Sequence, residues 1–140
     1  MVKGMHHLAI CVNNLDASMK FYHEILGWEI TRSVKGPEID AYYVQIPGSG
    51  ELEFVERHGK QVNTPLHEYQ TCFHHMAVEV DDPNPYYEKL KANGYEFIFP
   101  VSRFDIFGHY TCGVIDPDGI MVEFITPYPP VEAQVEKQEV

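Results

Sequence analysis

The sequence predicts an α+β protein made of two tandem βαβββ modules that form a paired, curved mixed sheet. Three observations carry that reading. His6-His7-Leu8-Ala9-Ile10-Cys11-Val12 returns as His74-His75-Met76-Ala77-Val78-Glu79-Val80, 68 positions later. Leu52-Glu53-Phe54-Val55 returns as Val122-Glu123-Phe124-Ile125, 70 positions later. Between them, Leu26-Gly27-Trp28-Glu29-Ile30 is echoed by Asn93-Gly94-Tyr95-Glu96-Phe97. Self-similarity at a fixed period marks a repeated supersecondary unit. One unit of this size buries a curved sheet poorly, whereas two side by side bury it well.

Module one spans residues 5–57. Its first strand puts Leu8, Ile10 and Val12 on one face and His7, Ala9 and Cys11 on the other, because side chains alternate with a period of two. Asn14 is placed to cap a helix. Leu15, Ser18, Tyr22, Ile25 and Leu26 recur at helical spacing, and Gly27 closes the helix as a left-handed cap. Trp28 to Thr31 begins a strand, Ile39 to Ile46 is the next, and Pro47-Gly48-Ser49-Gly50 turns the chain. Glu51 to Glu56 is the last strand, with Leu52 and Phe54 on its apolar face and Glu53 opposite. Arg57 to Gln70 reads as a connecting loop.

Module two spans residues 73–126. After its first strand, Asn84 is positioned to cap and Pro85 suits the first helical turn. The helix runs from Tyr86 to Asn93. Asp116-Pro117-Asp118-Gly119 is a tight-turn signal before the strand Ile120 to Ile125. Prolines after Ile125 are expected to stop that strand, so residues 127–140 read as an extended tail.

A chain of 140 residues buries roughly two-thirds of its unfolded surface without staples, so modules one and two are taken as a single domain over residues 1–126. No apolar run reaches the roughly 20 residues of a membrane span. There is no signal-peptide core, and three scattered cysteines read as reduced thiols in the cytoplasm. With a net charge of -11 and only ten Lys and Arg, nucleic acid is a poor partner, and no membrane partner is expected. A small-molecule substrate is the expected one.

His7 and His75 occupy equivalent places in the two first strands, and Glu53 and Glu123 in the two last. Each of these residues takes the face opposite its apolar neighbours. Two imidazoles and two carboxylates make a borderline-hard set for a divalent ion (Ni, Zn, Co, Mn or Fe), with positions left for water or substrate. Singly, each is read more simply as a hydrogen-bonded sheet histidine or a solvent-facing glutamate. It is the symmetric placement of all four that points to metal.

The chain resembles the vicinal oxygen chelate superfamily, which includes glyoxalase I, methylmalonyl-CoA epimerase, extradiol dioxygenases and fosfomycin-resistance proteins. The resemblance rests on His7 to Val12, Phe21-Tyr22-His23-Glu24-Ile25-Leu26-Gly27, His75 to Val80, and Asp116 to Glu123. It implies the glyoxalase/bleomycin resistance/dioxygenase fold, with ligands at His7, Glu53, His75 and Glu123 as in bacterial glyoxalase I. It also implies abstraction of a proton α to a carbonyl, with a metal-stabilised enediolate and Glu53 or Glu123, preferentially Glu123, as base. Many members are dimers, so a homodimer is expected. Cys11 stands where bacterial glyoxalase I has a glutathione-anchoring arginine, and Arg57 where it has an asparagine. These departures point away from a glutathione adduct. The dioxygenases carry a tyrosine ten residues before the last glutamate, where this chain has Gly113.

Arg57, Arg103, His109 and Tyr43 are candidates for substrate binding, with His58, Tyr42, Phe104 and Phe107 beside them. Arg103 to Tyr110 has the composition of a pocket rim. The leading reading is a metal-dependent lyase or isomerase. An Fe(II) extradiol-type dioxygenase is the alternative, and a non-catalytic binder like the bleomycin-resistance proteins is the third.

Overall fold

The computed structural model describes residues 1, 3–60, 75–105 and 107–128. Within these residues eight strands and two α-helices follow in the order β1 (His7–Val12), α1 (Leu15–Met19), β2 (Ile30–Lys35), β3 (Ile39–Gln45), β4 (Glu51–Arg57), β5 (His75–Glu79), α2 (Asn84–Ala92), β6 (Phe97–Phe104), β7 (His109–Ile115) and β8 (Met121–Pro127). The strands form two four-stranded mixed sheets, ordered β1-β4-β3-β2 and β5-β8-β7-β6. The chain divides into two units, Met1–Cys72 and Phe73–Val140. The βαβββ repeat read from the sequence is therefore the repeat of the fold.

In each unit the first strand lies parallel to the last, β1 on β4 and β5 on β8, and the other pairings are antiparallel. A parallel pair needs a long crossover, and the helix and two intervening strands supply it. In unit one the apolar face of β1 and β4 carries Val12, Leu52 and Phe54, packed with Leu15, Phe21, Tyr22, Ile25 and Trp28 into a buried core. In unit two, Leu90, Val114, Val122 and Phe124 play that part, and Tyr86 stacks on Phe124 with ring centroids 4.7 Å apart.

The first helix departs from its expected form. Asn14 caps it as predicted, accepting from Ala17 N at 2.9 Å. The α-helix then ends at Met19 and continues as a π-helical segment over Lys20–Ile25. Its wider turn closes with Leu26 N donating to Phe21 O at 3.1 Å. Within this segment Phe21 and Tyr22 are both fully buried. Gly27 then reverses the chain at φ 77°. Glu56 ties α1 to β4 by accepting from Leu15 N at 2.7 Å.

Two further expectations are corrected. Asn84 does not cap α2. It lies inside the helix, and both its backbone N–H and its amide donate to Asp82 Oδ1, at 3.0 and 2.8 Å. Asp82 competes successfully because an aspartate two residues upstream can close an Asx turn. The last strand also continues past Ile125, with Thr126 and Pro127 in register with Tyr110 and His109. Pro127 is tolerated because it ends the strand. Most of the expected 57–70 loop and of the tail, together with Cys72, lies outside the described residues.

Candidate metal centre

The parity argument places His7 and Glu53 on one face of unit one, and the structure brings them together. His7 Nε2 lies 3.2 Å from Glu53 Oε2. Unit two repeats the arrangement, with His75 Nε2 3.1 Å from Glu123 Oε2. The neighbour opposite each glutamate on the parallel strand is an alanine, Ala9 beside Glu53 and Ala77 beside Glu123. Both alanines are exposed, so each pair has an open flank where a larger residue would stand in the way.

Two donors bound cis to one octahedral ion at about 2.1 Å each lie roughly 3.0 Å apart, and tetrahedral binding opens this to roughly 3.4 Å. The observed 3.2 and 3.1 Å fall in that interval. The donor chemistry fits too: imidazole nitrogen and carboxylate oxygen suit borderline divalent ions. His7 Nδ1 is also engaged, 2.8 Å from His6 Nδ1, and such a contact on the second nitrogen orients a ligand imidazole. Among the described residues, no group of three or more His, Cys, Asp or Glu side chains gathers to hold a metal. Each unit presents a pair.

Each carboxylate's other oxygen is occupied by a hydroxyl. Tyr43 donates to Glu53 Oε1 at 2.6 Å, and Thr111 donates to Glu123 Oε1 at 2.9 Å. Tyr43 is directly opposite Glu53 on β3. The residue directly opposite Glu123 on β7 is Gly113, so Thr111 reaches Glu123 diagonally, as cross-strand neighbours can. A Cβ added at Gly113 would meet Phe99 Cε1 at 2.7 Å and Met121 Sδ at 3.1 Å. The ring of Phe99 fills the place of a side chain there.

The Tyr43 phenol has its pKa raised, chiefly by the bond to Glu53, and so stays a donor. The Arg32 guanidinium lies 3.7 Å over its ring, and the His7 ring meets it edge-on with centroids 5.7 Å apart. Burial, reinforced by the Glu123 charge, pushes the Cys112 thiol up to about 12, which leaves it a protonated core residue. Cys11, by contrast, is exposed.

The other substrate-binding candidates separate. Arg57 sits at the exposed end of β4 and lines a cleft of about 290 Å³ with Pro37, Glu38, His58 and Lys60. His58 leans on Asp40, with Nε2 to Oδ1 3.4 Å. Arg103 is held by Asp105, Nε to Oδ1 2.5 Å, and stacks on Tyr128 at 4.4 Å. The Tyr128 hydroxyl donates to the same Asp105 oxygen at 2.7 Å. His109 stacks on Phe107, which is exposed, and Phe104 packs edge-on against Phe99. Tyr42 lies under Lys35, with the ammonium 5.4 Å from the ring. Tyr43 donates its hydroxyl to Glu53. Sequence reasoning missed Thr111 and Arg32. The available signal for Thr111 was a hydroxyl in the otherwise apolar run Cys-Gly-Val-Ile; Arg32 gave none.

Comparison with known proteins bears on the same span. The family model described as Glyoxalase/Bleomycin resistance protein/Dioxygenase superfamily matches residues 4–124. A lactoylglutathione lyase of Haemophilus influenzae is 29% identical over 124 residues, covering 85% of this chain and 89% of that protein. The solved glyoxalase family protein of Enterococcus faecalis is 28% identical with a TM-score of 0.74, over 89% of this chain and 98% of that one. A trypanothione-dependent glyoxalase I from Leishmania major is 25% identical with a TM-score of 0.72, over 89% and 87% of the two chains.

Proposed function

This chain belongs to the Glyoxalase/Bleomycin resistance protein/Dioxygenase superfamily, and on that premise we propose that it is a divalent-metal-dependent lyase or isomerase. Its reaction is abstraction of a proton α to a carbonyl. The observation that carries the reading is the repeated pair, His7 with Glu53 and His75 with Glu123, at matching distances in the two units. The reading takes His7, Glu53, His75 and Glu123 as metal ligands. A bound divalent ion would supply Lewis-acid stabilisation of the negative charge that develops on substrate oxygen.

The chain's own residues do the rest. His7 and His75 would hold the ion through Nε2, and Glu53 and Glu123 through Oε2. Glu123 has a side chain only 12% exposed, against 19% for Glu53. We assign it the proton transfer, as the resemblance to glyoxalase I implies. The histidine side chains are 35% exposed, so a ligand can reach them.

The packing at Gly113 weighs against the oxygenase alternative. The tyrosine that the dioxygenases carry ten residues before the last glutamate has no room here while Phe99 fills that space. The lactoylglutathione lyase relative favours the lyase side, whereas Cys11 and Arg57 favour a substrate other than a glutathione adduct.

The test has two arms. Elemental analysis of protein purified without chelator should find a divalent metal, and His75→Ala and Glu123→Ala should lose it while keeping the fold. The metal-loaded protein, incubated in D2O with hemithioacetals, 2-hydroxy ketones and acyl-CoA esters, should exchange an α-proton visible by NMR. Glu123→Gln should abolish that exchange. A metal-loaded protein that exchanges nothing across the panel would sink the reading, and oxygen uptake with catechols in the Fe(II) form would replace it with the oxygenase.

A further inference from the structure

A carboxylate offers two equivalent oxygens and turns easily about its last torsion. Left alone, it can bind an ion through one oxygen or both. In this chain neither glutamate of the candidate centre is left alone. Glu53 Oε1 accepts from Tyr43 at 2.6 Å and Glu123 Oε1 accepts from Thr111 at 2.9 Å. In both pairs it is the other oxygen, Oε2, that faces the histidine. An ionised carboxylate only accepts, so the hydroxyl is the donor in each case.

The two donors come from non-equivalent positions. Tyr43 stands ten residues before Glu53, the place that Gly113 holds before Glu123. Gly113 has no side chain to offer, and Thr111, two residues earlier and fully buried, supplies the hydroxyl instead. The same hydrogen bond has thus been built twice by different means, although the repeats have diverged around it. Packing alone does not require that. An apolar residue at 111 would fill the same buried site, and phenylalanine at 43 would keep the ring contacts with Arg32 and His7.

We propose that Tyr43 and Thr111 are positioning residues of the metal centre, each holding one oxygen of its glutamate so that Glu53 and Glu123 are confined to one-oxygen coordination through Oε2. This rests on the metal reading above and deepens it. A glutamate confined to one oxygen would take one coordination position, whereas a released one would be free to take two and leave less room for substrate.

The experiment uses cobalt(II) as the probe. Wild type, Tyr43→Phe, Thr111→Val and Thr111→Ser are prepared metal-free, and thermal denaturation establishes that each is folded. Affinity is read by calorimetric titration, and coordination by the visible absorption of the cobalt form, which responds to coordination number. Partners that orient metal ligands are typically worth 10–100-fold in affinity. Tyr43→Phe and Thr111→Val should therefore bind cobalt roughly 10–100-fold more weakly, with an altered spectrum. Thr111→Ser, which restores the hydroxyl, should return both readouts toward wild type. If wild type binds cobalt and the folded variants match it in affinity and spectrum, the positioning role is overturned and the metal reading stands. If Thr111→Ser behaves like Thr111→Val, the hydroxyl is not the cause and the role of Thr111 falls. If wild type binds no cobalt, both fall together.

Discussion

Replacing Asp116 by alanine is expected to loosen the hairpin that carries Glu123. The side chain is buried, and its Oδ1 accepts from Asp118 N at 2.9 Å and Ile120 N at 2.8 Å. Asp116 N donates in turn to Ile120 O at 2.8 Å, and Gly119 completes the turn at φ 86°. Hydrogen bonds to a charged acceptor contribute about 1.5–3 kcal/mol each. Part of that returns when water reaches the freed N–H groups, so Asp116→Ala should lose about 2–3 kcal/mol in total. That is a large share of the 5–15 kcal/mol a typical domain has (~0.1 per residue). Asp116→Asn keeps an oxygen acceptor and should lose less than about 1 kcal/mol. Urea unfolding should be followed by far-UV circular dichroism, because the sole tryptophan, Trp28, lies in the other unit. The turn also fixes the register Ile115 to Met121 and Gly113 to Glu123. A slip of one residue would turn Glu123 to the opposite face, so the alanine variant should also bind metal more weakly. An alanine variant within about 0.5 kcal/mol of wild type, or an asparagine variant as damaged as the alanine one, would refute the argument.

Three other outcomes are expected. Asn14→Ala removes the acceptor for Ala17 N and should cost about 1 kcal/mol by urea denaturation, with Asn14→Asp close to wild type; equal losses from the two would discount the cap. The Asp105 carboxyl is held below its usual value, first by Arg103 and then by the Tyr128 hydroxyl. Its contribution to stability is therefore complete above the unfolded-state value and is lost as pH falls through the lower folded one. The melting temperature of Asp105→Asn should accordingly fall less steeply than wild type below about pH 4, and parallel profiles would contradict the assignment. Ala77→Leu fills the flank beside Glu123 and should lower metal affinity in calorimetric titration with little change in melting temperature; unchanged affinity would show that this flank is not the approach.

The fold was legible because it is written twice. Two βαβββ units predict the same strand order, and alternation along β1, β4, β5 and β8 puts His7, Glu53, His75 and Glu123 opposite their apolar neighbours without reference to any other part of the chain. Period and parity are local properties, so the amino-acid order alone determines them. What sits across from a residue is not local. It depends on register, and register emerges only when strands pair. The sequence therefore offered Tyr43 and Arg103 as substrate-binding candidates without showing that Tyr43 partners Glu53 or that Asp105 and Tyr128 flank Arg103, and Thr111 went unnoticed although it holds Glu123. The π-helical turn after α1 belongs with these. The residues of Lys20–Ile25 carry no local signal that separates its hydrogen-bond spacing from that of an α-helix, so the wider turn shows only in the fold. The sequence by itself determined which groups face which side; the tertiary structure decided which of them touch, because contact between distant residues is a property of pairing and packing rather than of order along the chain.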